Sequence, residues 1–186
     1  MAVAQRKMTL EEFLKLPEEE PALEFADGEV CQKVSPKLKH SALQLDFGEL
    51  IDAFGIPRKV ARAFPELRTA FAGRSRVPDV AVYRWERSLR TPKGELAEDA
   101  LEPPDVAVEI ASPEQSVNAQ VSKCLWYVEN GVHLALLVDA QDRSVLLFRP
   151  GVSPRALRDA DPIDLSDVLP GFQLTIQELF AALDAG

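Results

Sequence analysis

The run Val106-Ala107-Val108-Glu109-Ile110-Ala111 is the most informative segment of this sequence. Its apolar residues predict a buried strand, and a second apolar run at 134–139 predicts another. The segment between them predicts a helix that reaches Asn130 and ends with Gly131 as a left-handed cap. Strands that alternate with helices are typical of a sheet packed between helices. We therefore expect an α/β fold with a mixed sheet flanked by helices.

Capping residues, turns and helix breakers place the remaining elements. Thr9 and Glu12 have the spacing of a capping box at the start of a short helix. Asp27-Gly28 is a typical two-residue turn between strands, and Ser112-Pro113-Glu114-Gln115 is typical of a helix start. The sequence further predicts a hairpin over 23–33, a helix at 37–54 that stops at Gly55-Ile56-Pro57, extended segments within 60–71, a strand at 77–83, a loop at 85–104, a strand at 144–148, a polar loop at 150–162 and a helix at 176–183.

Length and composition restrict the class of protein. The 186 residues are 46% hydrophobic and 27% charged, which is ordinary for a globular chain and argues against wholesale disorder. We interpret residues 1–186 as a single domain in which residues 1–7 form a loose tail. The sequence contains no long apolar run and no secretory signal, and its two cysteines cannot form a disulfide framework. A cytoplasmic protein without membrane contact is expected.

Charge is distributed unevenly along the chain. The formal net charge is −9, which argues against a protein that coats nucleic acid through its bulk charge. Residues 58–93, however, hold ten basic and three acidic residues, a net charge of +7. Such a stretch can contact phosphate, although a charged run is also typical of a plain solvated surface. Both interpretations remain open from the sequence.

Two acidic residues stand where strands are predicted. Asp79 follows Pro78 at the start of one strand, and Glu109 shares one face of another with Asp105 and Ala107. Burying an unpaired carboxylate is costly, so such residues need a function or a partner. If the strands are neighbours, the two carboxylates converge and can bind Mg²⁺ or Mn²⁺, which can activate water beside a phosphate. The alternatives are a turn role for Asp79 and an arginine partner for Glu109.

Further polar residues lie on predicted elements near these acids. Lys123 and Tyr127 share one helix face because they are four residues apart, and a lysine there can neutralise a developing oxyanion. Glu24 in the first strand is a candidate metal ligand, and His40 near the start of the long helix can ligate metal or contact phosphate. Taken alone, Lys123 is more typical of a solvated helix surface, and His40 of a surface or capping residue.

The order of these motifs resembles the Uma2-type endonuclease family, which is one of the PD-(D/E)XK-like nucleases. The resemblance extends from about residue 8 to about residue 183, nearly the whole chain. Each short motif is weak by itself, because a Pro-Asp pair is common, but the ordered series is much more specific. The matching stretches are 8–13, 23–29, 35–36 with His40, 77–80, 108–113, Lys123, Tyr127, 131–132, 137–139 and 169–172.

The resemblance implies a restriction-endonuclease-like fold and a metal site. Asp79 and Glu109 would bind Mg²⁺ or Mn²⁺, with Glu24 as a third acid. In the wider superfamily a catalytic lysine stands two residues after the second acid, where this chain has Ala111. The resemblance points instead to Lys123 on the following helix.

The leading hypothesis is a metal-dependent endonuclease that hydrolyses phosphodiester bonds of DNA. The two strand acids and Lys123 would form the catalytic set, and His40 would be a secondary ligand or phosphate contact. Arg74 and Arg76 are candidate contacts to the DNA backbone, which carry no base preference. A homodimer is expected because a two-fold enzyme matches a two-fold duplex. The alternatives are an inactive nuclease-fold protein that binds nucleic acid or protein, and a hydrolase of another phosphate substrate such as a nucleotide or RNA.

Overall fold

Ten strands in the described residues form two sheets, accompanied by four α-helices. The computed structural model describes residues 7–87, 89–91 and 93–184, so the predicted tail lies outside the described residues except for Lys7. None of the helices described combines the length and hydropathy needed to cross a membrane. The helices are α1 (Leu10–Phe13), α2 (Leu38–Arg58), α3 (Val117–Glu129) and α4 (Ile176–Phe180). The strands are β1 (Leu23–Ala26), β2 (Glu29–Gln32), β3 (Ala61–Pro65), β4 (Thr69–Phe71), β5 (Arg74–Arg76), β6 (Val80–Arg84), β7 (Val106–Ile110), β8 (Leu134–Asp139), β9 (Ser144–Phe148) and β10 (Arg155–Arg158).

The larger sheet is mixed and lies between two helices, as predicted. Its strand order is β10-β9-β8-β7-β6-β3, and β7 and β8 run parallel because their connection crosses over through α3. The alternation along β7 is confirmed: Val106, Val108 and Ile110 face the core that includes α2. Ala107, on the opposite face, packs with Cys124 and other residues of α3. The face of β7 that carries Glu109 is therefore the face covered by α3.

A second sheet of four antiparallel strands has the order β2-β1-β5-β4. The β1–β2 hairpin turns at Asp27 and Gly28, as predicted, and both residues have positive φ angles, 55° and 87°. The sequence does not predict the sheet itself, because its central contact pairs Phe25 with Ser75 from a distant part of the chain. This pairing places β1, which carries Glu24, beside the segment that leads into β6.

Helix α2 continues past its predicted end at residue 54. Gly55 does not stop the helix but allows it to approach β3, since a Cβ here would lie 2.4 Å from the carbonyl oxygen of Ala61. Pro57 lies in the last turn of the helix, where it removes one backbone hydrogen bond just before the helix ends. Lys59 then ends α2 in the left-handed conformation, with a φ angle of 52°.

Two other predictions of local structure are wrong. Helix α3 begins at Val117 rather than at Ser112, because Ala111 still donates to the backbone of β8 and the chain needs a turn to leave the sheet. The predicted loop at 150–162 contains strand β10, in which Leu157 is buried and its neighbours are exposed. A single buried residue leaves no periodic pattern in the sequence.

The close approach of α2 to β3 makes a stability test possible. We expect Gly55→Ala to lower the free energy of unfolding by about 1–3 kcal/mol, because its new methyl group meets a backbone carbonyl that cannot rotate away. The matched control is Gly48→Ala in the same helix, where a Cβ has nothing within 4 Å. That change is expected to stabilise the protein by about 0.5–1 kcal/mol. Urea unfolding measures both, and equal effects would contradict the packing role of Gly55.

Candidate active site

The structure brings five of the predicted site residues to one cavity of about 540 Å³. They come from five separate parts of the chain. Glu24 and Lys123, which share a hydrogen bond, are 99 residues apart. The cavity is lined by Glu24 of β1, His40 of α2, Asp79 beside β6, Glu109 of β7 and Lys123 of α3. Two further cations that were predicted, Arg74 and Arg76, lie outside this lining and border a neighbouring cavity of about 440 Å³.

Asp79 lies immediately before β6, opposite the strand that carries Glu109. The antiparallel register pairs Val80 with Val108 and so sets the two acids side by side. One carboxylate oxygen of Asp79, Oδ2, accepts the backbone N–H of Ile110 at 2.6 Å. Burial opposes ionisation of this carboxyl, but the His40 imidazole and the Lys33 ammonium group outweigh that cost and hold its pKa well below the ordinary value. Asp79 is therefore a buried carboxylate anchored on the backbone of β7.

Glu109 and Glu24 share one ammonium group between them. Lys123 Nζ donates to Glu24 Oε1 at 2.7 Å and to the Glu109 carboxylate at 2.9 Å. Tyr127, one turn further along α3, donates its hydroxyl to Glu109 Oε1 at 2.8 Å. The helix face predicted from the spacing of Lys123 and Tyr127 thus points directly at the buried acid of β7. Glu24 Oε1 also accepts the backbone N–H of Val77 at 2.8 Å.

Burial and neighbouring charges shift the pKa values of Glu109, Glu24 and Lys123 in different directions. Burial raises the pKa of Glu109, and the negative charges of its neighbours act in the same direction. Burial also opposes ionisation of Glu24, but Lys123 and Arg76 outweigh it and lower the pKa of Glu24. The two acids in turn raise the pKa of Lys123 above its ordinary value despite burial. Lys123 is therefore held as a cation at neutral pH.

Lys33, directly after β2, is a site residue that the sequence analysis missed. Its Nζ donates to Asp79 Oδ1 at 2.6 Å and to the carbonyl of Val77 at 2.9 Å. No spacing signal links the lysine to the acid, because the two are 46 residues apart. Only the tertiary fold, which sets the end of β2 beside the start of β6, brings them into contact.

His40 lies on the first turn of α2 and faces Asp79. Its Nε2 is 3.3 Å from Asp79 Oδ1, but this nitrogen is buried and makes no hydrogen bond among the described residues. A buried imidazole nitrogen without a donor or acceptor partner is unusual. His40 itself lines the cavity that the three acids line.

The two arginines predicted to contact DNA make contacts within the protein. Arg76 lies 3.1 Å from Glu24 Oε2, and Arg74 lies 2.8 Å from Asp27. Both guanidinium groups lie over the ring of Trp126, with centroid distances of 5.0 Å for Arg74 and 5.7 Å for Arg76. Trp126 itself packs on Phe71 at 4.9 Å. The structure places these residues beside the acids but leaves their contact with DNA untested.

Part of the basic stretch at 58–93 has a structural partner that the sequence analysis did not identify. Asp105 is fully buried and accepts hydrogen bonds from Arg84 at 2.9 Å and from Arg87 at 2.8 Å. Buried acids of this kind are usually compensated by such charge-assisted bonds. The positive charge of the stretch is therefore partly neutralised inside the fold.

The chemistry of the site suits a divalent metal, although its acids are already paired. Among the described residues, no three His, Cys, Asp or Glu side chains form a group that could hold a metal ion. Asp79 and Glu109 nevertheless offer the hard oxygen donors that Mg²⁺ and Mn²⁺ prefer. The unpartnered Nε2 of His40 adds a nitrogen donor beside Asp79. The residues fit such an ion if Lys33 moves off Asp79.

Comparison with known proteins places the chain in a family. The family model "Uma2: Putative restriction endonuclease" matches residues 10–177. The chain belongs to the Uma2 family. The order of motifs predicted this family and its likeness to restriction endonucleases, and both predictions are confirmed. A search of curated proteins finds no match for this Uma2 chain.

Solved structures extend the comparison. A crystal structure from Anabaena variabilis, described as "a putative nuclease belonging to DUF820", is 36% identical and superposes with a TM-score of 0.90. The match covers 95% of this Uma2 chain and 99% of that one. A cryo-electron microscopy structure of a DrdV–DNA complex is 15% identical, with a TM-score of 0.39 over 62% of this chain and 10% of that one. The second likeness is too weak to support an argument.

Proposed function

We propose that this protein is a metal-dependent nuclease that hydrolyses phosphodiester bonds of DNA. The observation that carries the proposal is the convergence of three buried acids and a buried lysine on one cavity. The description of the Uma2 family and that of the Anabaena variabilis structure both name nucleases, which supports the class of reaction. The choice of DNA as substrate is part of the proposal.

The acids would hold the metal, and the surrounding residues would orient them. Asp79 and Glu109 would bind Mg²⁺ or Mn²⁺, Glu24 would complete or tune the site, and His40 would ligate the metal or contact the phosphate. When bound, such an ion supplies a Lewis acid and an activated water at neutral pH. Tyr127 fixes Glu109 by donating to Oε1, and Lys123 Nζ lies 2.9 Å from each of the two carboxylate oxygens.

Lys123 is suited to stabilise charge rather than to accept a proton. Its two acidic partners raise its pKa, so the ammonium form persists at neutral pH. A fixed cation in a buried site lowers the free energy of the negative charge that builds on a phosphate during hydrolysis. Lys123 reaches the Glu109 carboxylate from helix α3, rather than from a position two residues after Glu109 in the chain.

Cleavage of supercoiled plasmid, a single-stranded oligonucleotide and a matching RNA tests the proposal. Each substrate is incubated with Mg²⁺, with Mn²⁺ and with chelator. We expect metal-dependent cleavage of DNA and no reaction in chelator. Cleavage of the RNA alone would reassign the substrate, and the absence of any cleavage by folded protein would contradict the proposal.

Arg74 provides a test of DNA contact that does not depend on cleavage. We expect Arg74→Ala to weaken binding of a duplex oligonucleotide and to reduce the slope of log affinity against log salt by about one, as the loss of one phosphate contact requires. The control is Arg149→Ala, which removes an arginine paired with Asp164 and Asp167 instead. Salt titrations in chelator measure both variants, and an unchanged slope for Arg74→Ala would exclude the contact.

A second candidate function is favoured by the charge balance of the site. Each of the three acids in the cavity has a protein cation within hydrogen-bonding distance: Lys33, Lys123 or Arg76. A site that is neutral without metal also suits an inactive nuclease-fold protein that binds nucleic acid or protein. Calorimetry with Mn²⁺ separates the two, because only the nuclease requires metal affinity that is lost in Asp79→Ala and Glu109→Ala.

We also propose that two copies of the chain act together on duplex DNA. A two-fold dimer presents two sites to the two strands of a duplex. Light scattering on the purified protein measures this directly against the monomer mass of 20.5 kDa. A monomer mass both with and without a duplex oligonucleotide would contradict the dimer.

A further inference from the structure

Lys33 occupies the position at Asp79 where a metal ion would be expected to bind. Its side chain is only 11% exposed, and its backbone N–H is fixed by a hydrogen bond to Ala22 at 2.9 Å. Holding an ammonium group in a buried position is unfavourable unless strong partners compensate for the lost hydration. Here the partners are a carboxylate oxygen of Asp79 and the carbonyl of Val77. The side chain of Lys33 is therefore a fixed part of the site, held by these two partners.

The hydrogen bonds of Asp79 show what the ammonium group blocks. The backbone N–H of Ile110 uses Oδ2, which leaves Oδ1 to face Lys33 and His40. An ion bound to Oδ1 would share that oxygen with an ammonium group only 2.6 Å away. Repulsion between two cations beside one buried oxygen weakens the binding of a divalent ion for as long as Lys33 stays in this place.

We propose that Lys33 is a resident counter-ion that competes with the divalent metal for Asp79 and moves to the substrate phosphate when the metal binds. The inference rests on the proposed function and extends it. A displaced ammonium group needs a new anion, and a phosphate in the cavity provides one. Metal and phosphate therefore strengthen each other's binding, whereas the metal alone binds weakly.

Calorimetric titration with Mn²⁺ tests the competition. We expect Lys33→Met to bind Mn²⁺ at least tenfold more tightly than the unaltered protein, since the competing cation is gone. Lys33→Gln, which is neutral but still able to donate to the carbonyl of Val77, is a second variant in case the first does not fold. The matched control is Lys37→Met, because Lys37 lines the same cavity but pairs with Glu114 instead of a site acid. This control is expected to change Mn²⁺ affinity less than threefold.

Addition of thymidine 5′-monophosphate tests the coupling, because this nucleotide has a phosphate but no phosphodiester bond. We expect it to raise the Mn²⁺ affinity of the unaltered protein at least fivefold and to have little effect on the Lys33 variants. The midpoint of thermal unfolding gives an independent readout. Mn²⁺ should raise this midpoint more in Lys33→Gln than in the unaltered protein, because the variant lacks the ammonium group that pairs with Asp79.

The outcomes separate this inference from the proposed function. Equal Mn²⁺ affinity in all four proteins, with binding lost in Asp79→Asn, would overturn the inference and leave the metal site intact. No Mn²⁺ binding by any of them would overturn both. Failure of both Lys33 variants to fold even with Mn²⁺ would show that the lysine is a structural cation and would also overturn the inference.

Discussion

Asp79→Asn is expected to lower the rate of metal-dependent plasmid cleavage at least about 1,000-fold, the range expected when a ligand to a catalytic metal is lost. An amide is nearly the same shape as a carboxylate, so the backbone of Ile110 keeps its acceptor. The amide carries no charge, however, and cannot hold a divalent cation beside Glu109. The effect should therefore appear in the chemical step and in metal affinity, together with a separate loss of stability, because Lys33 loses the charge of its partner.

Plasmid nicking under excess Mg²⁺ and excess Mn²⁺ measures this change, and circular dichroism checks the fold. The matched control is Glu114→Gln, which neutralises an exposed acid in the β7–α3 connection that pairs with Lys37. This control should cleave within threefold of the unaltered protein. If Asp79→Asn cleaves as fast as Glu114→Gln, the metal site proposed at Asp79 is wrong.

Lys123→Met is expected to have the second large effect, on both stability and activity. The substitution leaves the carboxylates of Glu24 and Glu109 buried without the cation that they share. Breaking a buried ion pair by removing one partner costs about 3–5 kcal/mol, because the remaining charge is uncompensated. We expect that loss in the free energy of unfolding in chelator, together with loss of cleavage.

Urea unfolding provides the measurement, and an exposed lysine provides the control. Lys15 also pairs with a glutamate, Glu11, at 2.7 Å, but both side chains are at least 70% exposed. Lys15→Met is expected to change stability by less than about 0.5 kcal/mol, as for other exposed pairs. Replacing both acids by glutamine in the Lys123→Met background should recover much of the lost stability. A loss no larger than that of Lys15→Met would mean that the buried cation is not needed.

Local structure could be predicted wherever short-range chemistry decides it. The capping box at Thr9 and Glu12 is present, with each side chain bonded to the other's backbone. The turn at Asp27-Gly28 forms because both positions adopt positive φ angles that these residue types tolerate. The alternation along β7 placed Glu109 on the face of α3, since side chains of a strand alternate between its two faces.

The failures share one cause, which is that contacts with other elements of the fold override local signals. Gly55 has the usual signature of a helix end, yet the carbonyl of Ala61 requires a glycine there and the helix continues. Ser112 has the usual signature of a helix start, yet the backbone before it is still paired with the sheet. In both cases a partner in another element of the fold decides the conformation.

For the site, the sequence by itself determined which residues are candidates for the chemistry: an ordered series of acids, a lysine and a histidine with the spacing of strands and a helix. The tertiary structure alone decided the partner of each residue. Lys33 pairs with Asp79 because the fold sets the end of β2 beside the start of β6, and Asp105 pairs with Arg84 and Arg87 of the basic stretch at 58–93. The pairing of charged side chains depends on their distance in three dimensions and on the low dielectric of the interior. The spacing of residues along a chain determines neither.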